Sequence, residues 1–217
     1  MQIFSLSPIP CSSHRKKKFT SAGFTLIELL ICCAIITIVS AVVLVKYKAF
    51  DSTVLLKGTA YDIALTLREA QVKSVSVLRN DTNFDYPYGV TFDVASPAEQ
   101  KLYRIFQYKS ATISPKYDGT SLAEDIQEFT IGRTMRVREV CVTDPPATEV
   151  CSPTHLQRLD VSFRRPEFNA IFYAQGYTAG SQEDIESARI KVDSTGGTAG
   201  AFVVTITKFG QISVSKE

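Results

Sequence analysis

The segment from Phe24 to Val45 reads FTLIELLICCAIITIVSAVVLV, a run in which 18 of 22 residues are apolar. As an α-helix it would be about 33 Å long, and the hydrocarbon core of a bilayer is about 30 Å thick. The run is also longer than the apolar part of a secretory signal peptide, which is about 7–15 residues. The sequence therefore predicts a single transmembrane helix over residues 24–45.

Positive charge is concentrated ahead of this run. Residues 1–23 contain no acidic residue and four basic ones, Arg15, Lys16, Lys17 and Lys18. The more positive flank of a transmembrane helix stays in the cytoplasm, so the N-terminus is predicted inside and the rest of the chain outside. The formal net charge of the whole chain is +2, which leaves −2 for residues 24–217. This balance argues against a general nucleic-acid-binding protein.

Glu28 is the one charged residue inside the apolar run. A carboxylate at membrane depth costs a few kcal/mol unless it is paired or reaches the headgroups. One interpretation is a side chain near the helix end that reaches back to the membrane surface. The other is a cationic partner at the same depth. Cleavage after Gly23 would create such a cation, because the new α-amino group of Phe24 would lie about one helical turn from Glu28.

Residues 16–30, KKKFTSAGFTLIELL, resemble the N-terminal signal of type IV pilins and type II secretion pseudopilins. The resemblance implies that a prepilin peptidase cuts between Gly23 and Phe24 and that Phe24 is then N-methylated. It also implies that Glu28 docks onto the next subunit of a filament, at an inner-membrane assembly platform. The expected partners are the peptidase, other pilins or pseudopilins, that platform and the lipid bilayer. The expected location is the bacterial inner membrane, single-pass, followed by an extracytoplasmic pilus or pseudopilus.

Two other fates of the N-terminus are open. Residues 39–41, Val-Ser-Ala, resemble the small-residue pattern of an ordinary signal peptidase, whose cut would leave Val42 first. That cut would require an apolar segment that contains Glu28 and continues past the cleavage site. A protein that keeps its leader and stays a simple single-span membrane protein is the remaining alternative.

The helical pattern continues beyond the membrane. Apolar residues recur at alternating spacings of four and three from Leu56 to Val77, with Ser74 the one polar member, as on the buried face of an amphipathic helix. The predicted organisation is a leader at residues 1–23, a transmembrane or filament-core helix at 24–45, its amphipathic continuation at 46–80 and an extracytoplasmic β-rich domain at 81–217. The fold class is α+β, with the long helix packed on an antiparallel sheet.

Short segments rich in Val, Ile, Phe, Tyr and Thr follow Pro87 and predict nine strands. They are Tyr88–Val94, Leu102–Tyr108, Gln127–Ile131, Arg136–Val142, Arg158–Phe163, Asn169–Ala174, Ala188–Val192, Phe202–Thr207 and Gln211–Val214. The order of long helix, sheet and closing strand–Gly–strand pair resembles the GspH/FimT subclass of minor pseudopilins and minor pilins.

The five cysteines fall into three groups. Cys11 is in the leader, and Cys32 and Cys33 are in the span, where thiols behave as small apolar groups. Cys141 and Cys151 enclose a nine-residue loop with two prolines. Outside the cytoplasm a disulfide between them is permitted, and we predict it in preference to two free thiols.

Residues suited to catalysis are scarce. The chain has two histidines and lacks the G-x-S-x-G, H-E-x-x-H, C-x-x-C and P-loop patterns, so we expect no enzyme, no cofactor and no metal site. Residues 81–85 alternate acidic and amide side chains like the start of a calcium loop, but the Gly and Glu that such a loop needs are missing, which favours a turn.

One cluster of arginines suggests a possible DNA contact. Arg133, Arg136 and Arg138 lie within six residues, and Arg158, Arg164 and Arg165 are candidates to extend the patch. The alternative function is therefore a DNA-binding minor pilin of an uptake system. Glu139 adjoins the patch, and residues 209–212 near the C-terminus contain no arginine that could contribute to DNA binding. We therefore favour a solvated surface over DNA binding.

Overall fold

The computed structural model describes residues 23–76, 86–109, 116–119, 123–132, 134–145, 148–164, 166, 168–196 and 200–217, and for 45–51 it describes the backbone alone. The basic residues at 15–18, the predicted turn at 81–85, Arg133 and Arg165 lie outside the described residues. The chain divides into two compact units, Met1–Leu44 and Val45–Glu217.

The helix α1 comprises Leu26–Val75. In its second half the side chains of Leu56, Ala60, Ile63, Leu67 and Ala70 are fully buried, which confirms the apolar stripe. The helix ends five residues before the predicted boundary at residue 80, with a bend at Ser76.

Ser74 has a reason to interrupt the apolar face. Its hydroxyl oxygen accepts a hydrogen bond from the backbone N–H of Tyr88 at 3.1 Å. A buried polar side chain is tolerated when it is hydrogen-bonded. Here it ties the last turns of α1 to the first residue of the β domain.

The β domain contains ten strands. They are β1 Tyr88–Asp93, β2 Leu102–Tyr108, β3 Ala123–Thr130, β4 Met135–Asp144, β5 Thr148–Cys151, β6 Arg158–Phe163, β7 Ala170–Gln175, β8 Ser187–Ser194, β9 Ala201–Thr207 and β10 Ile212–Lys216. The first sheet has the order β3-β2-β1-β6-β7 and the second the order β10-β9-β8-β4-β5, and the strand pairs in both are antiparallel.

The α+β class and the antiparallel strands are confirmed, and each of the nine predicted strands overlaps an observed one. Two corrections concern the sheets. The strands form two five-stranded sheets where one was predicted. The short strand β5 was not predicted, because the prolines at 145 and 146 mark a turn and four residues are too few for a clear pattern.

The larger of two hydrophobic clusters among the described residues joins α1 to both sheets. Buried side chains from the helix (Leu67), the first sheet (Phe92, Phe163) and the second sheet (Ile190, Ile206) belong to one contact cluster. Such a shared core makes the β domain and the second half of α1 one folding unit.

Cys141 and Cys151 face each other across the β4–β5 pair and are joined by a disulfide, as predicted, with their Cα atoms 4.1 Å apart. Cys32 and Cys33 are free and exposed. A crosslink that closes so short a loop stabilises the fold by roughly 2–3 kcal/mol.

Gly210, in the turn between β9 and β10, supports the first testable prediction. Its φ of +76° is in the left-handed region, and an added Cβ would overlap the carbonyl oxygen of Phe168 and lie 2.5 Å from Gln71 Nε2. That amide nitrogen donates to the carbonyl oxygens of Phe168 (3.0 Å) and Gly210 (3.2 Å), which anchors the turn to α1. We expect Gly210→Ala to lower the free energy of unfolding by about 3 kcal/mol or more, from strain and lost hydrogen bonds together.

Gly200→Ala is the matched control for this variant. Gly200 has the same backbone conformation (φ +77°), but the nearest atom to its Cβ position is 3.9 Å away. It should therefore cost only the left-handed strain, about 1–2 kcal/mol. Urea unfolding of the protein in detergent, followed by near-ultraviolet circular dichroism, measures both. Equal losses would show that the contacts of Gly210 with Phe168 and Gln71 contribute nothing.

Candidate functional site

The junction predicted to be cleaved lies just before the helix. Residues 23–25 have no regular structure, and α1 begins at Leu26. Thr25 caps the helix, because its hydroxyl oxygen accepts a hydrogen bond from Glu28 N–H at 3.3 Å and its carbonyl from Leu29 N–H at 3.2 Å. The peptide bond between Gly23 and Phe24 is therefore outside the helical hydrogen-bond pattern, and Phe24 is 81% exposed.

Gly23 is not required by the local packing. A Cβ placed on it would have no neighbouring atom within 4 Å. The fold of this unit therefore does not demand glycine at position 23. A requirement for glycine here would come from a protein that acts on the junction.

Glu28 lies in the first turn of α1 and is exposed. A negative side chain at this position is favoured by the helix dipole. Within the described part of the chain, no cationic group lies within ion-pair distance of its carboxylate. Its charge is therefore left for a partner outside those residues.

The 19-residue segment Leu26–Leu44, which contains Glu28, is apolar enough overall and long enough to cross a membrane. None of this segment is buried. Its large side chains are about half exposed or more, from 51% at Ile31 to 82% at Leu26. Apolar surface in water costs about 25 cal/mol per Å². Such a surface is stable when lipid or other helices cover it.

The arginine cluster is partly neutralised. Arg136 Nε lies 2.9 Å from Asp193 Oδ1, and Arg138 Nη1 lies 3.6 Å from Asp193 Oδ2. Asp193 comes from the neighbouring strand β8. Two of the three arginines thus share one carboxylate, which weakens the attraction of this surface for phosphates.

Arg158 is engaged elsewhere. Its Nε donates to the buried carboxylate of Asp160 at 3.1 Å, and its guanidinium also bonds the carbonyl of Tyr117. Thr91 Oγ1 (2.6 Å) and the N–H of Tyr117 (2.9 Å) donate to the same carboxylate. Burial raises the pKa of Asp160 to about 6, although Arg158 and these donors oppose that rise. The cluster fastens residues 116–119 to the first sheet, so Arg158 has a structural role.

One group of potential metal ligands exists within the described residues: Glu139, Cys141 and Cys151. The two sulfurs are bonded to each other in the disulfide, so neither can act as a thiolate ligand. A single carboxylate remains, which does not make a metal site.

Comparison with known proteins identifies the N-terminal segment. Residues 18–44 match the family described as the prokaryotic N-terminal methylation motif. The methylation motif thus covers the position at which the sequence predicts the N-terminal signal. No curated protein matches the chain.

Two solved structures are similar, both of the type IV minor pilin FimU from Pseudomonas aeruginosa PAO1 in different crystal forms. They are 15% and 16% identical to the chain, each covers 74% of it, and the matches span 87% and 92% of FimU. Both have a TM-score of 0.38. The GspH/FimT subclass stays a prediction, and nothing in these comparisons supports the DNA-binding alternative.

Proposed function

We propose that the protein is a minor pilin or pseudopilin, a structural subunit of a type IV pilus or a type II secretion pseudopilus. The observation that carries the proposal is the methylation motif at residues 18–44, which overlaps an exposed apolar helix. Among the residues that the structure describes, Glu28 of this helix has no cationic partner. A soluble protein would bury such a helix, whereas a filament subunit keeps its apolar surface for lipid and then for other subunits.

In this proposal a prepilin peptidase cuts after Gly23 and the new N-terminus at Phe24 is methylated. The subunit waits in the inner membrane with its N-terminus inside and its β domain outside. On assembly, the carboxylate of Glu28 neutralises the amine of a neighbouring subunit in a low-dielectric environment. The ion pair fixes the axial register, and van der Waals contacts between the apolar helices hold the bundle.

The β domain is the part that faces partners. In this proposal its role is structural. The ion pairs of Arg136 and Arg138 with Asp193 make DNA binding the weaker alternative.

Intact-mass analysis of the protein purified from membranes tests the proposal. We expect a chain that begins at Phe24 and carries one added methyl group. The mass of the complete chain, 24.0 kDa, would indicate a single-span protein that keeps its leader. A chain that begins at Val42 would indicate ordinary signal peptidase. Either result would remove the basis for a filament subunit.

A further inference from the structure

Along the outer edge of strand β7, Ala170 and Ala174 have backbone hydrogen-bond partners, and Phe172 between them has none among the described residues. β7 is the last strand of the first sheet, so one side of its backbone has no neighbouring strand. At one end, Ala174 N–H donates to Gln182 Oε1 at 2.7 Å, and Ala174 C=O accepts from Gln182 Nε2 at 3.0 Å. At the other end, Ala170 N–H donates to the carbonyl oxygen of Lys208 at 2.9 Å.

Phe172 lies midway between these two residues. In an antiparallel pair, alternate residues direct their N–H and C=O groups to the same side. Phe172, opposite Val161 of β6, therefore points its backbone groups outward as Ala170 and Ala174 do. None of the residues that the structure describes donates to or accepts from these groups. The edge thus has one open donor and one open acceptor between two satisfied positions.

A cavity of about 270 Å³ lies in front of this position. Phe172 and Ile185, which line it, have side chains that are almost fully buried, so the floor of the cavity is apolar and well packed. On the rim, Lys208 Nζ donates to the carbonyl oxygen of Glu183 at 2.7 Å. Lys208 forms no ion pair with a carboxylate in the described part of the chain, so its positive charge is available to a ligand.

We propose that this cavity binds a short extended peptide segment of another protein by strand addition at Phe172. The chemistry of the edge selects a peptide: the amide of Gln182 and the peptide carbonyl of Lys208 already fill the flanking positions. The backbone N–H and C=O of Phe172 need one acceptor and one donor, and a residue of an extended peptide provides both. Ala170 to Ala174 spans about 13 Å, which accommodates about three residues. Lys208 favours an acidic side chain next to the paired residue.

The opposite edge of the same sheet does not suit this ligand. Strand β3 is exposed along most of its length and carries Glu124, Asp125 and Glu128. Charged side chains along an edge strand discourage pairing with another chain. The proposal concerns only the β domain and does not depend on whether the protein is a pilin.

The test uses the full protein in detergent micelles and the capped tripeptide Ac-Asp-Val-Thr-NH2, whose central Val is the residue expected to pair with Phe172. Amide hydrogen exchange measured by NMR should slow at least tenfold at Phe172 when the peptide is present at millimolar concentration. The same peptide with N-methylated backbone nitrogens should give no protection, because it has lost its donors. Protection by both peptides, protection by neither, or protection at β3 instead of Phe172 would overturn the proposal.

Variants of the protein and of the peptide test the roles of the cavity and of the Lys208 charge separately. Ile171→Trp fills the cavity from its lining and should weaken binding at least tenfold. Ile126→Trp on β3 makes the same change on an exposed side chain and should leave binding unaltered. Replacing the peptide Asp by Asn should weaken binding a few-fold at low salt. Unchanged binding to Ile171→Trp would contradict the site, and equal binding of the Asn peptide would contradict the role of Lys208.

Discussion

Gly23→Val should leave the protein entirely in its uncut form, as a band of about 24 kDa, with no product that begins at Phe24. The junction lies outside the helix and is exposed, so the substitution leaves access unchanged. The Cβ of residue 23 would also have no neighbour within 4 Å, so the fold is not disturbed. We therefore attribute the predicted loss of cleavage to failed recognition by the peptidase, whose site must accommodate residue 23.

Gly58→Val is the matched control. Gly58 also has no atom within 4 Å of its Cβ position, and it lies inside α1, away from the junction. Valine costs a helix no more than glycine does, so this variant should be processed normally. Immunoblots and intact mass of the membrane fraction compare the two. Processing of Gly23→Val at the rate of the unmodified protein would place the cut elsewhere.

Both the membrane helix and the buried face of α1 could be predicted because each leaves a local pattern. A run of 18 apolar residues in 22, and the spacing from Leu56 to Ala70, record the environment of each side chain directly in the sequence. Strand positions were predictable for the same reason. The division into two sheets was not, because it depends on pairing between distant segments, such as β1 with β6.

The candidate functional residues also divide into those with a local sequence pattern and those that depend on distant segments. The methylation motif is contiguous, so the sequence located it without the structure. The arginine patch stayed a candidate for DNA contact beside the favoured solvated surface, because Asp193, more than fifty residues away, could not be assigned to Arg136 and Arg138 from the sequence. The open position at Phe172 left no signal either. It exists because Gln182 and Lys208, from other segments, fill the positions on each side.

The unit Val45–Glu217 and the N-terminal unit carry different parts of the proposed function. The disulfide, the shared core and the Asp160 cluster stabilise a β domain that we propose binds other proteins. The N-terminal unit has no core of its own within the described residues, and its apolar surface is stable only when covered. Assembly should therefore depend on the first turn of α1, where the single charge lies.

Glu28→Val should be processed normally but recovered in sheared filaments at a level at least tenfold lower than the unmodified protein. The substitution removes the only charge in an exposed apolar segment, so it favours residence in the membrane. It also removes the carboxylate that we propose neutralises the amine of a neighbouring subunit. A tenfold loss corresponds to about 1.4 kcal/mol, a modest value for an ion pair in a low-dielectric environment.

Glu69→Val is the control, because it makes the same substitution at another position of α1. Glu69 lies in the soluble half of α1 and pairs with Lys73 at 2.7 Å, an exposed contact worth a few tenths of a kcal/mol. Its loss should not change recovery in filaments. Quantifying both variants in membrane and sheared fractions separates assembly from expression, because Glu28→Val should accumulate in the membrane as a mature chain. Incorporation of Glu28→Val at the normal level would show that register is set by the apolar contacts alone.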